Sequence, residues 1–286
     1  MSDVQAVTDP IVYHGEGPMW DATQRRLLYV DMFAGDLMSL RLEDEKVTRR
    51  HYGNVLAAVR PRRDGGLVLA LERRFGTVDA SGGNLTLLPE LWVDASIRMN
   101  DGDCDPQGRF YCGSMAYDLS AGRGGLYCLS PSLQVELLIE GVTISNGLAW
   151  SPSGERAYYV DSTTQRIDSF QFDGETGRLY GRTCVVEIPR ESGMPDGLTV
   201  DANGGIWVAL YGGAAVRRYL PWGTLDLIVS LPVTQVTSCA FGGDALDELY
   251  ITTSREGLER DEQADAGSVY KARPGVVGQA TRVFGG

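Results

Sequence analysis

The chain has 286 residues, of which 43% are hydrophobic and 22% charged, ordinary globular usage that excludes a disordered chain and leaves enough apolar material for a large core. Its net charge of −12 repels phosphate backbones and anionic lipid, which argues against nucleic acid and membrane as partners. Five cysteines with no Cys-x-x-Cys pair argue against a disulfide framework or a zinc–thiolate centre and for buried thiols in a reducing compartment. The polar start Met1-Ser2-Asp3-Val4-Gln5 lacks a secretory pattern, and no apolar run approaches the ~18 residues that span a bilayer. The chain therefore reads as cytoplasmic, with no protein partner implied.

In chain order, a short β-rich segment recurs: Leu27–Asp31, Gly66–Ala70, Arg109–Gly113, Ala157–Asp161, Gly205–Ala209 and Glu248–Thr252. The segment starts lie 39, 43, 48, 48 and 43 residues apart. Polar turns precede most of them, such as Asp105-Pro106-Gln107-Gly108 and Asp201-Ala202-Asn203-Gly204. Further strands, such as Arg166–Phe172 and Ala215–Tyr219, fill each interval, and no stretch keeps a 3.6-residue apolar period. Four short strands per repeat, six times over, predict an all-β, six-bladed β-propeller over residues 1–286 as a single domain. A two-sheet sandwich would not repeat at this period. The stretch near Gln5-Ala6-Val7 is expected to close the ring by pairing into the last blade.

Polar residues recur in phase just upstream of four segments. Glu16 stands 11 residues before Leu27, Asn100 9 before Arg109, Asn146 11 before Ala157, and Asp196 9 before Gly205. Each lies beside or near a glycine. Asn-Gly and Asp-Gly are common turn dipeptides, so each motif alone reads as a turn. Four in phase read as one site at the mouth of the central channel, where the inner strands begin. Two carboxylates and two carboxamides form an all-oxygen set suited to one divalent cation: Ca²⁺, Mg²⁺ or Mn²⁺, with Zn²⁺ also able to take oxygen ligands. The second and sixth repeats place Ala57-Ala58-Val59 and Thr237-Ser238-Cys239 at this phase and contribute wall, not ligands.

Arg98, two residues before Asn100, points to the same side of its strand and could hold a substrate oxygen, a surface ion pair being the plainer alternative. His14 could share a face with Glu16, although a lone histidine is more often structural; His51 has no such context. Trp20, Trp150 and Trp207 read as blade-packing residues rather than a sugar platform. Glu72-Arg73-Arg74 reads as a solvated blade edge. No Gly-x-Ser-x-Gly, P-loop or dinucleotide fingerprint occurs.

The motifs Gly15-Glu16-Gly17-Pro18-Met19-Trp20, Arg98-Met99-Asn100-Asp101-Gly102, Ile144–Trp150, Pro195-Asp196-Gly197, Trp207–Gly213 and Thr237–Gly243 together resemble the gluconolactonase / senescence marker protein (regucalcin-like) family. The resemblance implies a propeller with one catalytic divalent metal in the channel. It makes Glu16, Asn146 and Asp196 the metal ligands, Asn100 a ligand or substrate contact, Arg98 a substrate contact and Asp196 the general base. The loop Met115–Gly124 is shorter than in regucalcin-type members, where an acidic residue reaches the sugar; Asp118 or Arg123 are the candidates to replace it. The expected reaction is hydrolysis of a small neutral lactone, a sugar lactone first, to the hydroxy acid. The alternatives are phosphoester cleavage of the diisopropylfluorophosphatase type and a non-enzymatic calcium-binding propeller.

Overall fold

The computed structural model of the chain describes residues 4–259 and 262–286. Six four-stranded antiparallel sheets form the blades of a propeller. The inner strands are Gly15–Asp21, Leu56–Pro61, Ile97–Cys104, Ser145–Trp150, Met194–Val200 and Val236–Gly242, for blades 1 to 6 in order. The recurring segment of the sequence is the second strand of each blade, for example Arg26–Asp31 and Ile206–Tyr211. These strands are covered on both faces by neighbouring blades, so they read as continuous apolar runs rather than alternating ones. The outer strands Lys46–His51 and Leu85–Leu87 are solvent-facing and carry no such run. Among the described residues there is no α-helix, and no helix is long and apolar enough to cross a membrane.

The core lies between blades. Met19, Leu28, Ala58, Leu69, Phe75 and Phe110 pack together across blades 1 to 3. The three tryptophans pack as expected: Trp20 stacks on Tyr250, Trp150 meets Tyr111 and Phe172, and Trp207 meets Phe241 edge-on. The polar turns work through their aspartates. Asp201 accepts from the Asn203 and Gly205 amides with one oxygen and from Trp207 Nε1 and Arg218 Nε with the other.

The ring closes where the sequence placed it. Gln5–Ala6 pairs with Tyr270–Ala272, supplying the outer strand of blade 6. A second closure was not expected. The C-terminal tail crosses the far end of the channel and reaches the end of every inner strand or the loop beside it. Gly278 N donates to Leu246 O (2.8 Å), Gln279 Nε2 to Val200 O (3.0 Å) and Trp150 O (3.1 Å), Thr281 Oγ1 to Trp20 O (2.8 Å), Phe284 N to Pro61 O (2.8 Å) and Gly285 N to Gly108 O (2.8 Å).

One expectation needs correction. Four cysteines are buried and none is in a disulfide, but Cys184 is exposed. Glu72-Arg73-Arg74 is a partly exposed edge whose side chains are tied down: Glu72 accepts from the Tyr117 hydroxyl (2.7 Å), and Arg73 and Arg74 both pair with Glu90.

Candidate active site in the channel mouth

Each inner strand carries an irregularity in its pairing near its start, between Glu16 and Met19, Leu56 and Ala58, Met99 and Gly102, Asn146 and Leu148, Pro195 and Leu198, and Val236 and Ser238. A bulge turns a side chain out of the strand's ordinary alternation. Here it turns four polar side chains into the channel. The Asn-Gly and Asp-Gly pairs are therefore bulges within strands, not turns. Their glycines answer a packing demand: a Cβ at Gly147 would lie 2.7 Å from Asp196 O, and one at Gly197 2.2 Å from Ser238 Oγ. The residues just ahead of the bulge in blades 2 and 6 are Leu56 and Val236, one position earlier than the spacing indicated, and both are buried and apolar.

Glu16, Arg98, Asn100, Asn146 and Asp196 all line one cavity of about 330 Å³ at this end of the channel. Glu16 and Asp196 are 3% and 7% exposed. Asn100 Nδ2 donates to Asn146 Oδ1 (3.0 Å) and Ser145 O (2.8 Å), and Asn146 Nδ2 donates to Ser162 Oγ (2.8 Å). Arg98 NH1 donates to Asn100 Oδ1 (2.5 Å) and Met99 O (3.0 Å). The Arg98 guanidinium lies over the rings of Phe33 and Tyr117, at 5.0 and 5.6 Å from their centroids. It is thus a buried, clamped cation and not a surface ion pair, and burial holds its pKa below the usual value. His14 also lines the cavity, with Nδ1 2.8 Å from Ser254 Oγ and 3.3 Å from Glu256 Oε2.

Asp118 and Arg123 do not reach this cavity. Asp118 accepts from the Ser120 amide, and Arg123 pairs with Asp94. The sequence reading also passed over Glu256, Ser162, Phe33 and Tyr211, which line the site from the ends of the second strands or the connections just after them. It passed over Asp101 as well. That residue sits in the same bulge as Asn100 but lines a separate pocket, at the end of the channel crossed by the tail, with Arg60 and Asp103.

The electrostatics are those of an anionic pocket that the buried Arg98 guanidinium only partly offsets. Burial, then the charge of Asp101, pushes the Glu16 carboxyl up to about 8. Burial, then the charge of Glu16, raises Asp196 well above the carboxylate range. The Gly17 amide donates to Glu16 Oε2 (2.9 Å), and no side chain among the described residues donates to either carboxylate. Among the described residues no group of three His, Cys, Asp or Glu side chains is arranged to hold a metal, because half of this oxygen set is carboxamide. The donor chemistry nonetheless fits a hard divalent cation: two buried carboxylates repel one another, and Asn146 Oδ1 keeps a lone pair beyond the one Asn100 uses.

Regucalcin of Xenopus laevis is 32% identical over 294 residues, covering 99% of this chain and 98% of its own. The structure of a calcium-binding protein, regucalcin, from Agrobacterium tumefaciens superposes with a TM-score of 0.94 at 26% identity, covering 99% of this chain and 97% of its own. A luciferin-regenerating enzyme superposes with a TM-score of 0.93 at 28% identity, over 100% of both chains. The family profile described as SMP-30/Gluconolactonase/LRE-like region matches residues 14–255, which include every residue of the cavity named above except Glu256. With the profile and a near-complete relative in agreement, this propeller belongs to the SMP-30/gluconolactonase/LRE-like family.

Proposed function

We propose that the chain is a lactonase that opens a small neutral lactone to its hydroxy acid with the help of one divalent cation, Ca²⁺, Zn²⁺, Mn²⁺ or Mg²⁺. The observation that carries the reading is the pair of buried carboxylates, Glu16 and Asp196, sharing a small-molecule cavity with two carboxamides and a clamped guanidinium. Family membership supports it. The reading takes residues 1–286 as one working domain.

Glu16, Asn146 and Asp196 would hold the cation, with Asn100 fixing the Asn146 amide. Bound there, such a cation supplies Lewis-acid polarisation of a carbonyl and stabilises charge developing on its oxygen. Asp196 accepts a proton from the attacking water as the water oxygen bonds to the lactone carbonyl carbon. The ring C–O bond then breaks, and the departing alkoxide takes up that proton, so one water is consumed per lactone. Arg98 has a terminal nitrogen that makes no hydrogen bond among the described residues, and it orients a substrate oxygen.

The description of the Agrobacterium relative as calcium-binding favours a second reading, a propeller that only holds Ca²⁺. A buffer has no need of Arg98 or of a cavity wide enough for a lactone. A pH-indicator assay of metal-stripped protein, with lactones and each cation added back, separates the two. Cation-dependent acid release above the spontaneous rate, abolished in folded Asp196→Ala, supports the lactonase; cation binding with no release for any lactone supports the buffer.

A further inference from the structure

The cavity has two unlike flanks. Over blades 6 and 1 it carries a polar pair: His14 and Glu256 face it, held together at 3.3 Å, with the Phe33 ring beside His14. Over blades 3, 4 and 5 its wall carries four apolar side chains, Met115, Leu119, Ile144 and Met194, beside the hydroxyl-bearing Ser162 and Tyr211. Tyr117 adds a ring to that wall, but its hydroxyl is spent on Glu72 (2.7 Å) and its face on Arg98.

Leu119 is the telling residue. It is 56% exposed at the mouth, in a turn closed by its own amide on Ala116 O (3.1 Å), with φ at +60°. Asparagine or glycine adopts that backbone more readily than a branched apolar residue. Leu133 and Leu246 share the conformation away from the cavity, so the backbone alone selects nothing. At 119 it carries an apolar side chain onto the wall of a site whose floor is charged.

Resting on the lactonase reading, we propose that the substrate is a lactone bearing an apolar alkyl or aryl substituent, which lies against Leu119, Met194, Ile144 and Met115 while the lactone carbonyl sits toward Arg98 and Asp196. A polyhydroxylated ring laid against those four side chains would press hydroxyls onto groups that cannot hydrogen-bond them. The cavity, at about 330 Å³, has room for one small ring and a short chain. The substrate thereby departs from the sugar lactone expected of the sequence.

The test compares kcat/KM for γ-octalactone and D-glucono-δ-lactone in the full chain, reconstituted with each of Ca²⁺, Mg²⁺, Mn²⁺ and Zn²⁺. The expected result is a preference for γ-octalactone of about tenfold or more. Leu119→Asn suits the left-handed turn, so it folds. It should cut kcat/KM for γ-octalactone roughly three- to tenfold, chiefly through KM, and narrow the ratio. Preference for the glucono-lactone, or an unchanged ratio in folded Leu119→Asn, overturns the proposal and leaves lactone hydrolysis standing. No hydrolysis of either lactone with any cation overturns the lactonase reading itself.

Discussion

Asn100 Nδ2 donates to Asn146 Oδ1 across the boundary between blades 3 and 4, at 3.0 Å. The bond places a carboxamide proposed as a ligand under the control of a neighbour that is itself fixed by Arg98 (2.5 Å). Asn100 is therefore a positioning residue in this arrangement. Asn100→Ala should weaken cation affinity about 10–100-fold, as loss of an orienting partner does at metal sites. Calorimetric titration of the folded variant with Mn²⁺ and Ca²⁺ checks it; wild-type affinity would show that Asn146 needs no such support.

Glu16 links the fold to pH. Its carboxyl moves from 4.5 to about 8 on burial, so the folded, cation-free protein holds a proton that the unfolded chain releases. Its contribution to stability is complete below about 4.5 and is lost as pH rises through about 8. Melting temperature of the stripped protein should fall over that window. Glu16→Gln should flatten this part of the slope, and a saturating divalent cation should raise the melting temperature most at the alkaline end. A slope identical in Glu16→Gln would remove Glu16 as its cause.

The blade repeat was legible because its second strands are buried on both faces, which writes an apolar run every forty-odd residues. Glu16, Asn100, Asn146 and Asp196 were legible because the repeat fixes their phase. The rest of the cavity was not, for physical reasons. Glu256 and Ser162 follow the second strands of blades 6 and 4, where the residue type differs from blade to blade (Met32 stands at the Ser162 position in blade 1), so no shared motif marks them. The bulges that aim the four polar side chains are properties of strand pairing, invisible in one strand's sequence. Asp101 shares the blade 3 bulge with Asn100, and the direction a bulge gives each side chain cannot be read from one strand's sequence. Each Asn-Gly or Asp-Gly pair read alone as a turn because one strand's sequence does not show how closely Gly147 meets the backbone of Asp196.

Asp31 and Asp161 end the second strands of blades 1 and 4 and perform one task. Asp31 accepts from the Tyr13 and His14 amides, and Asp161 from those of Thr143 (3.0 Å) and Ile144 (3.1 Å), just ahead of Glu16 and Asn146 respectively. Asp161→Ala leaves two amides without acceptors and should cost about 1–3 kcal/mol. Asp161→Asn retains one acceptor oxygen and should fall between. Chemical denaturation measures both, and an unchanged midpoint in Asp161→Ala would refute the role.

Phe284 is fully buried beside Cys104 and Phe110, although it lies two residues from the end of the chain. Its amide and carbonyl bond blade 2 through Pro61 and Arg63, each at 2.8 Å, while its neighbours in the tail reach the other blades. A propeller is held as a ring by the fit of each blade on the next, so a tail bonded to all of them resists their parting. Phe284→Ala should cost about 3 kcal/mol through the cavity it leaves. For a chain of this size that is a fall of roughly 6–12 °C in melting temperature. Deleting residues 277–286 should cost more. Both changes lie at the opposite end of the inner strands from Glu16 and Asp196, so cation affinity measured well below the new melting temperature should stay within about twofold of wild type. A deletion that melts with the wild type would refute the clasp, and one that stays folded but loses the cation would place the tail in the site.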